Sequence, residues 1–165
     1  MAARRVLASH RHRACEAGFT LIELMTVLVV LGVLASVVVP SLRGFAATQA
    51  AKTLAGDLAA DLMLARGEAL KRSGTVTVAR SGTDWNGGWT VTANGTELAG
   101  RSAYASSAVQ VSGAPASIVF NQFGRVATPS GAVRVTVSAV NVDRSSRCLA
   151  LDLSGRVRAK TGSCT

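Results

Sequence analysis

The sequence predicts an α+β protein in which one long N-terminal helix packs on an antiparallel β-sheet head. The first observation behind this prediction is an apolar stretch with no charged residue from 24 to 42. The second is a run of leucine and alanine residues at helical spacing, and the third is an alternation of apolar and polar residues from 75 onward. With 165 residues the chain can form one folded domain in addition to this helix.

The first predicted element is an apolar segment long enough to span a membrane. A bilayer core requires about 20 apolar residues in a helix, and residues 19–42 meet this requirement with Glu23 as their only charged residue. Four arginines and one acid precede the segment, and positive charge beside a first span stays cytoplasmic. A secretory signal has a shorter apolar core of about 7–15 residues, so the cleavage-like pair Ala35-Ser36 is not expected to be cut.

The second predicted element continues this helix toward the head. Apolar residues recur at spacings of four and three, which places them on one helix face. They are Leu54, Leu58, Leu62, Ala65 and Ala69. Glu68 is placed to pair with Arg72 one turn later, and Gly74 is the expected C-terminal stop. The predicted helix therefore covers residues 19–72.

The remaining residues, 73–165, predict a β-rich head. Strands are expected at 75–78, 90–92, 108–111, 117–120, 133–137 and 148–153. Asn94-Gly95 indicates a hairpin turn, and residues 100–113, mostly small and polar, are expected to have little other regular structure. The aromatic residues of this part are expected to pack in the core or on the sheet. They are Trp85, Trp89, Phe120 and Phe123.

Charge and cysteine content point to anionic partners and a disulfide. The chain carries a net charge of +9, and residues 19–165 hold 14 basic and eight acidic side chains, a balance that favours anionic partners. Outside the cytoplasm, Cys148 and Cys164 are expected to form a disulfide rather than stay free. Closing the 15 residues between them stabilises the fold by about 3 kcal/mol in the chain-entropy model.

The composition argues against an enzyme. Both histidines, His10 and His12, precede residue 19, so the rest of the chain has no imidazole for acid–base catalysis. The carboxylates are scattered, and the sequence has no phosphate-binding loop or dinucleotide fingerprint. Two cysteines without histidine are too few ligands for a metal site. We predict no catalytic activity, no cofactor and no metal.

A basic segment stands between the two cysteines. If the stretch Gly155-Arg156-Val157-Arg158 is extended, Arg156, Arg158 and Lys160 project from one face and Val157 points into the head. The planar guanidinium suits phosphate oxygens. The segment contains no aromatic residue for base stacking. Contact with nucleic acid would therefore be independent of sequence and sensitive to salt.

Residues 18–24 read Gly-Phe-Thr-Leu-Ile-Glu-Leu, so a glycine, an aromatic residue and an acid stand together at the start of the long apolar run. This motif resembles that of type IV pilins and type II secretion pseudopilins, and Pro40 matches the helix-kinking proline of this family. The resemblance implies that prepilin peptidase removes a leader, residues 1–18, after Gly18, and that Phe19 is then N-methylated. It also implies that Glu23 pairs with the amino terminus of a neighbouring subunit, because a buried carboxylate is costly unless it is paired.

Two segments of the C-terminal half, 120–125 and 151–157, read Phe-Asn-Gln-Phe-Gly-Arg and Leu-Asp-Leu-Ser-Gly-Arg-Val. They resemble the minor-subunit branch of this family, which includes the pseudopilin GspH and the minor pilin FimT. The Gly-Arg-x-Arg pattern resembles the DNA-contacting motif of FimT-like minor pilins, which act in DNA uptake during natural transformation. This implies DNA contact by Arg156 and Arg158 with Gly155 as the turn, to which the geometry adds Lys160.

The sequence therefore predicts a non-catalytic minor pilin with a single span in the inner membrane and a periplasmic head that binds DNA without sequence specificity. Its partners would be other pilins or pseudopilins, prepilin peptidase, DNA and the membrane. The alternative is a minor pseudopilin of a type II secretion system with a structural role. An anchored domain with no role in a filament leaves Glu23 unexplained.

Overall fold

The computed structural model describes residues 19–104, 107–142 and 145–164. The expected leader with its cleavage residue Gly18 lies outside the described residues. The chain divides into two compact units, Met1–Val38 and Val39–Thr165. One helix, α1, covers Leu21–Arg72 and belongs to both units.

In the first unit the apolar side chains of α1 are exposed, as a surface facing lipid requires. By length and composition α1 is long and apolar enough to cross a membrane; its most apolar stretch has a mean hydropathy of 2.6. This agrees with a spanning segment over residues 19–42, which stays a prediction.

The second unit contains two antiparallel sheets. The described residues form nine strands: β1 Val76–Arg80, β2 Trp89–Ala93, β3 Thr96–Arg101, β4 Val109–Ser112, β5 Ser117–Phe120, β6 Val126–Thr128, β7 Val133–Ala139, β8 Arg147–Leu151 and β9 Val157–Thr161. One sheet has the order β3-β2-β1-β5-β6 and the other the order β4-β7-β8-β9. Neighbouring strands in both are antiparallel. The predicted α+β class is therefore confirmed.

A single apolar core joins α1 to both sheets in this unit. The five predicted leucines and alanines of the helix face are all buried. Alternate strand residues meet them, among them Val76 and Val78 of β1 and Val133, Val135 and Val137 of β7. The alternation of apolar and polar residues that predicted the strands thus corresponds to side chains that face the core and the surface in turn.

α1 begins at Leu21, two residues after the predicted start at residue 19. α1 ends at Arg72, as expected, but Ser73 rather than Gly74 adopts the left-handed conformation, with φ at 50°. The amide of Gly74 donates to the carbonyl of Ala69 and that of Ser73 to Leu70, which closes the last turn as a Schellman motif. Ser73, and not a glycine, therefore occupies the left-handed position at the end of the helix.

Strand β4 at Val109–Ser112 agrees with the strand expected at 108–111, and β3 runs to Arg101, two residues into the segment expected to be a loop. One expectation for the head was wrong. Phe123 does not pack in the core: its exposed fraction is 67%, whereas Trp85, Trp89 and Phe120 are buried. Phe123 follows β5 on a turn that carries it away from the sheet. The Asn94-Gly95 hairpin was correct, with positive φ at both residues.

Candidate nucleic-acid interface

A tight turn at residues 152–156 precedes the basic strand β9. The amide of Gly155 donates to the carbonyl of Asp152 at 2.9 Å, and the amide of Asp152 donates to the carbonyl of Arg156 at 3.1 Å. The Asp152 side chain strengthens the turn by accepting the amide of Arg156 at 3.1 Å and the hydroxyl of Ser154. Short polar side chains form turns in this way. The turn delivers Arg156 to the start of β9.

Gly155 is required in this turn for two reasons. Its φ is +77°, a region that residues with a Cβ enter only with strain. An added Cβ would also lie 2.1 Å from the carbonyl oxygen of Gly124 and 3.0 Å from side-chain atoms of Arg66. Because Arg66 Nε donates to that same carbonyl at 3.1 Å, the turn packs against both α1 and the segment around Gly124. Gly155 is thus a turn residue, as predicted.

The segment around Gly124 is a second turn of the same design. In residues 121–125, the amide of Gly124 donates to the carbonyl of Asn121, and the amide of Asn121 donates to the carbonyl of Arg125. Asn121 Oδ1 accepts the amide of Arg125 at 3.0 Å. We call residues 121–125 the Asn turn and residues 152–156 the Asp turn. They share the order Asx, two variable residues, glycine and arginine, and they contact each other.

Strand β9 places Arg158 and Lys160 on the outer face of the four-stranded sheet. Arg158 pairs with Ala150 of β8, which pairs with Arg134 of β7. Arg158 and Arg134 are therefore two strand spacings apart, about 9.5 Å, on the face opposite the core. Val157 packs against the core, as predicted. The three predicted residues Arg156, Arg158 and Lys160 line one shallow depression together with Arg134 and Asp152.

Arg156 has a partner within its own turn. Its Nε lies 3.0 Å from Asp152 Oδ2, and both side chains are exposed. Hydrogen bonds from Ser154 and from the amide of Arg156, together with the guanidinium, lower the pKa of Asp152 to about 2. An exposed ion pair contributes little stability. A phosphate can therefore replace Asp152 as the partner of this guanidinium.

A disulfide fixes the strand that carries the basic residues. Cys148 and Cys164 are bonded, with their α-carbons 4.9 Å apart, as the sequence predicted. The amide of Cys164 donates to Thr136 Oγ1 on β7 at 3.0 Å. Since Cys148 lies on β8, the bond holds the segment that follows β9 against the neighbouring strands. The basic side chains consequently start from an ordered backbone.

A second group of charged residues was not predicted, because its carboxylates and their partners are scattered along the sequence. Asp61 Oδ2 accepts Nε1–H of Trp89 and Nε–H of Arg101, both at 2.9 Å. The Tyr104 hydroxyl donates to Asp57, and the rings of Trp89 and Tyr104 stack at 5.8 Å. Burial and this hydrogen bond raise the pKa of Tyr104. The signal available in the sequence was the spacing of four between Asp57 and Asp61.

At the N-terminal end of α1, Glu23 forms a capping box with Thr20. The amide of Thr20 donates to Glu23 Oε2 at 2.9 Å, and the amide of Glu23 donates to Thr20 Oγ1 at 3.3 Å. Thr20 Oγ1 donates to the same carboxylate oxygen. The isolated chain thus supplies the acid with hydrogen bonds, and Phe19 immediately before them is exposed.

Two protein-family models match this chain. The model of the family "Type II transport protein GspH" matches residues 54–155, and that of the prokaryotic N-terminal methylation motif matches residues 13–39. No curated protein sequence matches the chain significantly.

Two crystal forms of the type IV minor pilin FimU from Pseudomonas aeruginosa have a similar fold. The P21 form has a TM-score of 0.57 at 19% identity and covers 66% of this chain and 87% of FimU. The P65 form has a TM-score of 0.56 at 19% identity, with 66% and 91% covered. The family match includes both turns except Arg156, the core face of α1 from Leu54 and the first eight strands. The chain belongs to the GspH family of minor type IV pilins and pseudopilins and carries the N-terminal methylation motif of such subunits.

Proposed function

We propose that this chain is a non-catalytic minor subunit of a type IV pilus that holds DNA on the outer face of its four-stranded sheet during uptake in natural transformation. Prepilin peptidase removes residues 1–18, Phe19 is N-methylated, and residues 19–42 span the inner membrane once. The head is periplasmic before assembly. Other pilins are its partners in the filament.

The observation that carries this proposal is the grouping of four basic residues on one outward face. Arg156, Arg158 and Lys160 share a depression with Arg134, while the acid in that group, Asp152, is held by its own turn. The face is ordered by a disulfide and by strand pairing. A preformed basic surface loses less ordering entropy when it binds an anion.

The chemistry of the face fits a phosphate backbone. Guanidinium groups bind phosphate oxygens in a bidentate manner, and such contacts position a nucleic acid without reading its sequence. Two or three phosphate contacts give a slope of about −2 to −3 for log K against log salt on duplex DNA. Weak, salt-dependent binding in the micromolar range is expected.

The test is a DNA titration of the full chain in neutral detergent. We expect Arg156→Gln/Arg158→Gln to weaken binding about tenfold, which is about 1.4 kcal/mol, and to reduce the salt slope by about 2. The matched control is Arg43→Gln/Lys52→Gln, which removes the same charge from exposed positions on α1. Equal loss in both double variants, or no loss in either, contradicts the proposal.

The family match also supports a second candidate, a structural subunit of a type II secretion pseudopilus. In that case the basic face contacts acidic surfaces of neighbouring subunits or exported proteins. Two measurements separate the candidates. A pseudopilus subunit shows no DNA binding at low salt, and its Arg156→Gln/Arg158→Gln variant impairs protein secretion instead.

Glu23 is proposed to act in assembly by pairing with the amino terminus of a neighbouring subunit. The capping box gives a way to separate this role from helix formation, because glutamine also serves at its position in such a box. Glu23→Gln therefore keeps the cap and loses the charge, whereas Glu23→Ala loses both. We expect both variants to insert in the membrane and both to assemble poorly. Normal filament incorporation of Glu23→Gln restricts the role of this residue to capping.

A further inference from the structure

We propose that the exposed ring of Phe123 is a stacking platform for an unpaired base, so that the DNA held by the basic face is single-stranded where it crosses the two turns. This inference rests on the proposed DNA-binding function and names the form of the ligand. The sequence alone argued against stacking, because no aromatic residue lies between Cys148 and Cys164. The fold supplies one from the Asn turn.

The exposure of Phe123 has no structural explanation in its turn. The Asn turn and the Asp turn have the same backbone hydrogen bonds, and the position of Phe123 in the first corresponds to Ser154 in the second. A small polar residue is therefore sufficient to build this turn. An aromatic ring that is 67% exposed at the same position contributes little to the core.

The two turns bring this ring near the basic face. An added Cβ on Gly155 would lie 2.1 Å from the carbonyl oxygen of Gly124, and the amide of Val126 donates to the carbonyl of Leu153 at 3.2 Å. Consecutive α-carbons are about 3.8 Å apart. The α-carbons of Phe123 and Arg156 are consequently within roughly 14 Å of each other, a span that a short stretch of one strand covers.

The chemistry of this neighbourhood is that of a single-strand binder. Arg125 and Arg156 end the two turns and supply charge for phosphates, while the ring supplies an apolar face. Phe123 also borders an open depression with Gly74 and Thr75, so the space beside it is not filled by protein. Stacking of a base on an aromatic side chain is worth about 1–3 kcal/mol and tolerates any base. Bases inside a duplex are already stacked and are not available for it.

The test compares Phe123→Ala with the wild type, using the full chain in neutral detergent. Three probes of 12 nucleotides are titrated: a single strand of thymidines, a strand of abasic sites and a duplex. We expect Phe123→Ala to weaken binding of the thymidine strand fivefold or more, and binding of the abasic strand and the duplex less than twofold. Phe123→Trp should restore binding of the thymidine strand, because it restores an aromatic face.

Phe45→Ala is the matched control. Phe45 is another exposed phenylalanine, at 70%, and it lies about 38 Å along α1 from Leu70, the helix residue beside Gly124. Its substitution should leave all three probes unchanged. Equal losses on the three probes, or no loss on the thymidine strand, overturn the stacking role.

The failure of this inference is distinct from that of the proposed function. If Arg156→Gln/Arg158→Gln abolishes binding while Phe123→Ala has no effect, the basic face binds DNA and the stacking platform is refuted. If the wild type binds none of the probes at low salt, the proposed function itself fails. Unchanged DNA binding by Phe123→Ala with reduced incorporation into filaments assigns the ring to a contact with a neighbouring subunit and also overturns the inference.

Discussion

Two groups of charged residues in the head contain the same kinds of side chain, acids and arginines, but differ in burial and in pairing. Around Asp61, whose exposed fraction is 4%, each acid has a donor from another element: Trp89, Arg101 or Tyr104. Around Arg156, basic residues outnumber the one acid, and the face is open to solvent. The first group joins α1 to the five-stranded sheet, and the second lies on the outer face of the other sheet.

Burial therefore decides whether a charged group stabilises the fold or is available to a ligand. A buried carboxylate with satisfied donors cannot exchange them for a partner without a large penalty. An exposed pair such as Asp152 and Arg156 is worth little and exchanges readily. Substitutions in the first group should therefore change stability, and substitutions in the second should change binding.

The largest expected effect comes from Arg101→Met, which keeps part of the apolar stem and removes the guanidinium. Asp61 is left buried with Trp89 as its remaining donor among the described residues. Removing one member of a buried ion pair costs about 3–5 kcal/mol. Because the Arg101 side chain is 41% exposed, we expect the lower part of this range. Thermal unfolding of the full chain in neutral detergent measures it, with buried Trp85 and Trp89 as fluorescent reporters.

A second substitution controls this prediction. Asp61→Asn in the Arg101→Met background removes the unpaired charge, so the double variant should be more stable than Arg101→Met alone. DNA binding should be unchanged in both variants at temperatures where they are folded. If the double variant is the less stable of the two, the buried charge is not what destabilises Arg101→Met.

A smaller stability effect is expected from Gly155→Ala, at the boundary between folding and binding. The left-handed backbone alone costs an alanine about 1–2 kcal/mol. Gly162→Ala isolates this part, since Gly162 has φ of +100° and no atom within 4 Å of an added Cβ. The collision with the Gly124 carbonyl should raise the total for Gly155→Ala to about 2–3 kcal/mol, below the loss expected for Arg101→Met. It should also shift Arg156 and weaken DNA binding, whereas equal melting temperatures for the two alanine variants would contradict this account.

How far the sequence predicted these features depends on the range of the contacts. The helix face from Leu54 to Ala69, the Asn94-Gly95 hairpin and the disulfide follow from local patterns or from a pair of residues, and all three were correct. The Asp61 group joins residues 28 and 40 positions apart, and no local pattern encodes such a contact.

The same limit explains the error at Phe123. Phe123 follows strand β5 by three residues, and its aromatic side chain alone suggested packing on the sheet. The hydrogen bonds of the Asn turn instead leave it exposed. The equivalence of the two turns was present in the sequence as Asx-x-x-Gly-Arg at 121–125 and 152–156. Only the structure shows that the two segments form the same backbone hydrogen bonds and are therefore the same type of turn.

This equivalence provides a substitution that tests the exposed group with little risk to the fold. Asp152→Asn makes the Asp turn resemble the Asn turn, where an amide oxygen accepts the same backbone amide. We expect the midpoint of thermal unfolding to change little, because the exposed pair of Asp152 and Arg156 contributes little stability. Removing the negative charge beside Arg156 should tighten DNA binding about two- to threefold at low salt, an effect that added salt reduces. Weaker binding by this variant would mean that Asp152 positions Arg156 for DNA rather than competing with it.

The smallest expected effect is that of pH on DNA affinity, because lowering the pH should not reproduce the effect of Asp152→Asn. The pKa of Asp152 is lowered to about 2 from its ordinary value near 3.8, so the stabilising contribution of this carboxylate is fully present above about pH 3.8 and is lost as pH falls through about 2. Asp152 therefore remains charged from pH 7 to pH 4. DNA affinity of the wild type should not approach that of Asp152→Asn over this range, and the ratio of their dissociation constants should stay constant. A ratio that falls toward one at pH 4 would show that the Asp turn does not hold its carboxylate ionised, and competition between Asp152 and phosphate for Arg156 would then depend on pH.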